Sequence, residues 1–199
     1  MLLLRGEPDA VATWAGRGLV PVHIVPLEGW TAVLAAGPSR AMPPYDDSLE
    51  ALAGRPVASR LRSAIGFFAV GGNAVVTVQP TGWRAIQRWF IWSPGQGLVR
   101  PRHLAAGRPA DLTAASGARD GAARRGVLDL LVDGSGDAKG VLSDLLALLS
   151  LPGVDLLEGV RDPAESRGST LVEPSARHVA RFERVVHDQA LYRSELEEH

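Results

Sequence analysis

The pair of β-prone runs around Gly71-Gly72-Asn73 constrains this chain more than any other feature. Ile65-Gly-Phe-Phe-Ala-Val70 and Ala74-Val-Val-Thr-Val78 are rich in branched and aromatic side chains, and the glycines between them accept the positive φ angles of a tight turn. The spacing predicts a β-hairpin over 65–78. A third run, Ala85–Trp92, carries Ile86, Trp89, Phe90 and Trp92 and extends the same antiparallel sheet. Ser93-Pro-Gly-Gln-Gly97 closes that run, and a short extended piece follows at Leu98–Arg100.

Upstream, β segments are read at Leu19–Val25, where Pro21 marks an edge or a strand start, and at Trp30–Ala36, closed by Gly37-Pro38. Pro43-Pro44 makes 41–45 a loop, and Asp47-Ser-Leu-Glu50 has the pattern of a capping box opening a short helix that ends at Gly54. Val57, Leu61 and Ile65 share a face if 57–62 is helical. Residues 105–126, rich in Gly, Ala and Arg, read as an exposed connector. Beyond it, Val127–Val132 reads as a buried strand, 133–137 as a loop, Ala138–Leu149 as a helix and Val154–Leu157 as a second strand. Such a β–loop–α–β unit implies parallel strands with a right-handed crossover. Pro174 opens a long terminal helix with an apolar stripe of Val179, Phe182 and Val186, flanked by Val185, Tyr192 and Leu196.

The fold class expected is therefore α+β: a mixed, largely antiparallel sheet built on the 65–78 hairpin and the 85–92 strand, a C-terminal βαβ unit and a long C-terminal helix. The chain reads as a single domain, 1–199. A faint strand–turn–helix likeness between 30–52 and 128–149 admits two similar halves, 1–104 and 127–199, joined by the 105–126 connector.

Composition removes several classes. With 46% hydrophobic and 22% charged residues, wholesale disorder is excluded. There is no cysteine, hence no disulfide, thiol nucleophile or thiolate metal site. Met1–Leu4 lacks the preceding basic residues of a signal peptide, and no run reaches the roughly 18 apolar residues of a membrane span. A cytoplasmic location without a membrane partner follows as the expectation. Lys139 is the single lysine beside 20 arginines, the mark of a GC-rich, bacterial coding background. In that background any one arginine is first of all a solvated surface charge.

The net charge of −1 conceals a segregation. No acidic residue lies between Glu50 and Asp111, while that interval holds Arg55, Arg60, Arg62, Arg84, Arg88, Arg100, Arg102 and Arg108. Before it there are three basic and six acidic residues, and after it ten and sixteen, so a +8 block is flanked by segments of −3 and −6. Arginines interleaved with Trp89 and Trp92 resemble the way single-stranded nucleic acid is held, by phosphate contact and base stacking. The competing explanation is that the block pairs with the acidic part of the chain, internally or across a dimer.

Asp133-Gly-Ser-Gly-Asp137 is the other candidate. Before a helix such a loop can hold a phosphate, but Lys139 is followed by Gly140-Val141, which breaks the phosphate-loop pattern. Asp133, Ser135 and Asp137 occupy alternating calcium-ligand positions, yet the glycine required at the sixth position is Ala138. A tight turn with an N-capping Asp or Ser explains the loop more simply. The five histidines, at 23, 103, 178, 187 and 199, include a Glu183–His187 pair with no third ligand, and no nucleophile elbow or zinc-protease signature occurs.

No catalytic residue, cofactor or metal is assigned. The first functional expectation is a cytoplasmic, bacterial, non-enzymatic interaction or regulatory protein acting as a homo-oligomer, partnered by itself or another protein through charge-segregated surfaces. The second is an RNA or single-stranded DNA binder using the 51–110 segment, with Arg84, Arg88, Arg100 and Arg102 beside Trp89 or Trp92. The third is a phosphate- or nucleotide-using enzyme with Asp133, Ser135 and Asp137 in its loop.

Overall fold

The computed structural model describes residues 1–82, 85–118 and 121–197, of which Leu191 and residues 193–197 are described by their backbone alone. The chain runs β1 (Leu2–Leu4), α1 (Pro8–Ala15), β2 (Val22–Leu27), β3 (Trp30–Ala35) and α2 (Ser48–Gly54). A 3-10 turn at Ser59–Leu61 leads to β4 (Ala64–Val70), β5 (Asn73–Gln79), β6 (Arg88–Ser93) and β7 (Gly97–Val99). Then come α3 (Pro109–Ser116), α4 (Gly121–Val132), α5 (Ala138–Leu148), α6 (Val154–Glu158), β8 (Thr170–Val172) and α7 (Ala176–Glu197).

The eight strands of the described residues form one sheet in the order β7-β6-β5-β4-β1-β3-β2-β8, and each of their ladders is antiparallel. The α+β class, the 65–78 hairpin and the long terminal helix are as expected, and the strand expected over 85–92 is present but begins at Arg88. Both residues of the hairpin turn, Gly71 (φ 55°) and Gly72 (φ 78°), take the left-handed conformation that glycine allows. The edges β7 and β8 are only three residues each, which leaves little free backbone for unwanted pairing.

Period-two alternation divides the side chains between two cores. Leu3, Ile65, Phe67, Val76, Phe90 and Trp92 face one side, where α3, α4, α5 and α6 supply Leu112, Val127, Leu131, Leu142, Leu145 and Leu156. Leu2, Leu4, Ile24, Val33 and Phe68 face the other, under Val11 and Trp14 of α1 and Leu52 of α2. The result is three layers, helices–sheet–helices. β1 lies at its centre and is buried on both faces, so its three leucines need no polar alternation. Burying each contributes about 1.5–3 kcal/mol, which anchors a strand too short to be held by its ladder alone.

The C-terminal βαβ unit is corrected. The segment expected as a strand at Val127–Val132 is the second half of α4, and the one expected at Val154–Leu157 is α6. Ala123, Val127 and Leu131, four residues apart, form a buried helical stripe, whereas Leu128 and Val132 are 46% and 63% exposed. Apolar residues on both sides of a helix imitate a buried strand. Among the described residues there is no parallel crossover, and the one parallel contact is the isolated bridge Trp89–Ala106. Much of the expected connector 105–126 is likewise helical, as α3 and the first turns of α4. Of 57–62, only the 3-10 turn is helical.

Candidate functional site: a basic end of the sheet

Antiparallel register gathers the arginine block. Ala64 pairs with Gln79, Val78 with Arg88 and Ile91 with Val99, so the starts of β4 and β6 and the ends of β5 and β7 share one end of the sheet. Arg60 and Arg62 immediately precede β4, Arg88 opens β6, and Arg100 and Arg102 follow β7. The chain then returns beside β6: the Trp89 N–H donates to the Ala105 carbonyl (2.9 Å) and the Gly107 N–H to the Trp89 carbonyl (2.8 Å), which brings Arg108 to the same end. Arg60, Arg100, Arg102, His103 and Arg108 are exposed there, and Arg62 and Arg88 are half-buried. Ile86 and Leu104 add exposed apolar surface between them. Arg84 lies outside the described residues.

None of these arginines is ion-paired among the described residues; the two pairs found there, Arg40–Glu173 (3.0 Å) and Arg161–Asp155 (2.9 Å), use other residues. Arg62 instead donates to the carbonyls of Val57 (3.0 Å) and Ala85 (3.5 Å), tying the two approaches to the sheet end together. Pairing of the block with the acidic part of the same chain is therefore not what the described residues do.

The tryptophans separate. Trp92 is 1% exposed, packed in the core, and its indole N–H donates to the Asp133 carbonyl (2.6 Å), so it is corrected from a stacking surface to a buried anchor. Trp89, three residues earlier, faces the opposite side of the sheet and is half-buried against the other core.

The Asp133–Asp137 loop sits at the other end of the same strands, where the Gly95 N–H of the β6–β7 turn donates to the Gly134 carbonyl (2.7 Å). It joins two helices, not the strand and helix of a phosphate loop. The Asp133 carboxylate accepts from the Ser135 hydroxyl (2.7 Å) and the Ser135 N–H (2.9 Å). Those two bonds hold it below the usual carboxylate range. Asp137 caps α5 by accepting from the Gly140 N–H (2.8 Å). The loop's carboxylates thus serve the loop itself, and among the described residues no three His, Asp or Glu side chains converge as metal ligands.

Sequence reasoning missed a cavity of about 440 Å³ between the 17–20 segment after α1, α2, the 44–47 loop and the first turns of α7, lined by Arg17, Tyr45, Arg55, His178 and Phe182 among others. These residues come from four separated segments and form no pattern along the chain.

Fold and site together define an α+β protein whose antiparallel sheet, covered by helices on both faces, is basic at one end and acidic at the loop facing the other. No family model, curated protein or solved structure is significantly similar to the chain. No helix among the described residues is long and apolar enough to cross a membrane.

Proposed function

We infer that the chain is a non-enzymatic interaction protein of the bacterial cytoplasm, which docks the basic end of its sheet against an acidic protein surface. A second copy is the simplest partner, because each chain carries both signs at separate places. The observation that carries this reading is the set Arg60, Arg88, Arg100, Arg102 and Arg108, gathered by strand register, whose guanidinium groups form no ion pair among the described residues. A field of one sign attracts an opposite one and steers encounter, and it does so less as salt rises.

Light scattering behind size exclusion tests the reading. In about 0.1 M salt the wild type is expected above monomer mass, and in about 1 M salt, where the screening length falls from about 10 Å to 3 Å, at monomer mass. The double variant Arg100→Glu/Arg102→Glu is expected to be monomeric throughout. A wild type that stays monomeric at every concentration and salt overturns self-association. Salt-sensitive binding of a labelled single-stranded RNA would move the assignment to nucleic acid, for which the same exposed arginines would make the phosphate contacts.

A further inference from the structure

The cavity beside α2 holds a guanidinium without a counter-ion. Arg55, just past the end of α2, lies with its charge 3.7 Å over the Trp14 ring. Its terminal nitrogens donate to the carbonyls of Ala15 (3.3 Å) and Trp14, the last residues of α1. Gly18 admits it, since a Cβ there would stand 2.1 Å from an Arg55 nitrogen. The carbonyl end of a helix offers only a partial negative charge, so the cation is oriented without being neutralised. Burial draws its pKa down to about 10, which still leaves it protonated at neutral pH.

Across the cavity, α7 contributes His178, whose Nδ1 is buried without a hydrogen-bond partner, and Phe182, which meets Tyr45 edge to face at 5.0 Å. Leu19, Val20 and Leu52 make the rest of the wall largely apolar, and Arg17 adds a second positive charge. Two carboxylates share the lining. Asp47 already accepts the Leu49 and Glu50 amides (2.8 Å each) to cap α2, and Glu50 is exposed to solvent. The least hydrated charge in the cavity is therefore positive.

We propose that this cavity binds a small organic acid, an anionic head group on an apolar body, with the head at Arg55 and the body between Leu52, Tyr45 and Phe182. The volume suits such a molecule: small-ligand pockets run from about 300 to 1,000 Å³ and combine apolar walls with a few fixed polar groups. A guanidinium held by stacking and by two carbonyls is pre-organised for a carboxylate or phosphate oxygen, and the anion supplies the missing counter-charge. The site shares no residue with the basic sheet end, so either assignment can fail alone.

Titration of the full chain with anilinonaphthalene sulfonate, an aromatic anion that fluoresces when sheltered from water, tests the proposal. Octanoate and phenyl phosphate serve as competitors, and octanol as the neutral twin of octanoate. Octanoate or phenyl phosphate is expected to displace the probe at concentrations at least about tenfold below octanol, the factor showing which head group is preferred. Ala51→Trp, which fills the cavity from the half-buried face of α2 one turn before Arg55 and keeps the guanidinium, is expected to abolish the displaceable fluorescence. Arg55→Gln is expected to remove the preference for the acid over the alcohol. Equal competition by octanol and octanoate, or displaceable fluorescence that survives in Ala51→Trp, overturns the proposal.

Discussion

At Met1 the α-amino nitrogen takes the place of a backbone amide in the sheet. It donates to the Phe67 carbonyl at 2.8 Å, and the Phe67 N–H donates back to the Met1 carbonyl at 2.8 Å. Burial disfavours the ammonium form and pulls the group from its ordinary value of 8.0 to about 5. The folded pKa thus lies below the unfolded one, so the unfolded chain binds more protons between these values. In a chain with a free Met1 amine this contribution is fully present above about pH 8 and is lost as pH falls toward 5, by up to about 4 kcal/mol. Urea midpoints are expected to climb from pH 5.5 to pH 8; a flat profile would show that the amine stays charged and hydrated in the folded chain. The same scale explains the tryptophans. Sequence shows Trp89 and Trp92 an odd number of positions apart, hence on opposite faces of a strand. Which face is core depends on helices that pack from 20 and more residues downstream.

Among the elements, the hairpin, β3, β6, α2 and α7 were legible because each carries its own local signal: glycine turn chemistry, alternation, an Asp47 cap that accepts two amides, or a long apolar stripe. β1 was not, since three leucines buried on both sides have no period to read. α1 has the spacing of Val11, Trp14 and Ala15 but no side-chain cap at Glu7 to announce it. α4 is the instructive error, and its docking can be checked. A Cβ at Gly97 (φ 68°) would stand 2.5 Å from the Val132 carbonyl oxygen at the end of α4, whereas one at Gly95 (φ 75°) would meet nothing. Both Gly→Ala changes incur the left-handed penalty of about 1–2 kcal/mol. Only Gly97→Ala must also push α4 away, so chemical denaturation is expected to show it weaker than Gly95→Ala by a further ~1.5 kcal/mol or more. Equal losses would mean that α4 does not end against the β6–β7 turn.

Across the whole molecule, attachment is uneven. α7 is held through its first half, by Val179 (9% exposed), by Phe182 on Tyr45 and by Glu183, which accepts the Met42 N–H (3.3 Å). From His187 to Ala190 and at Tyr192 every side chain is exposed. A helical segment whose described side chains are all exposed is marginal in water, because nucleation is unfavourable and those side chains add no packing. Deleting residues 188–199 is therefore expected to lower far-UV helicity yet to shift the urea midpoint of the remainder by no more than about 0.5 kcal/mol. A larger loss would place core contacts in the deleted stretch. The arginine block was visible in the sequence as a charge run, and its gathering at one end of the sheet depended on strand register, which the hairpin alone could only begin to supply. The acid-binding cavity was invisible for a different reason: the 17–20 segment, α2 and α7 meet there from opposite ends of the chain.

The position of β1 also has a consequence in time. Its partners are residues 31–33 on one side and 64–66 on the other, so the middle of the sheet is laid down first during synthesis and closed much later. Until β4 emerges, Leu2–Leu4 has one neighbour at most and its apolar side chains stay uncovered. Residues that end up almost wholly inaccessible in the finished protein are thus the ones that wait longest for cover as the chain is made.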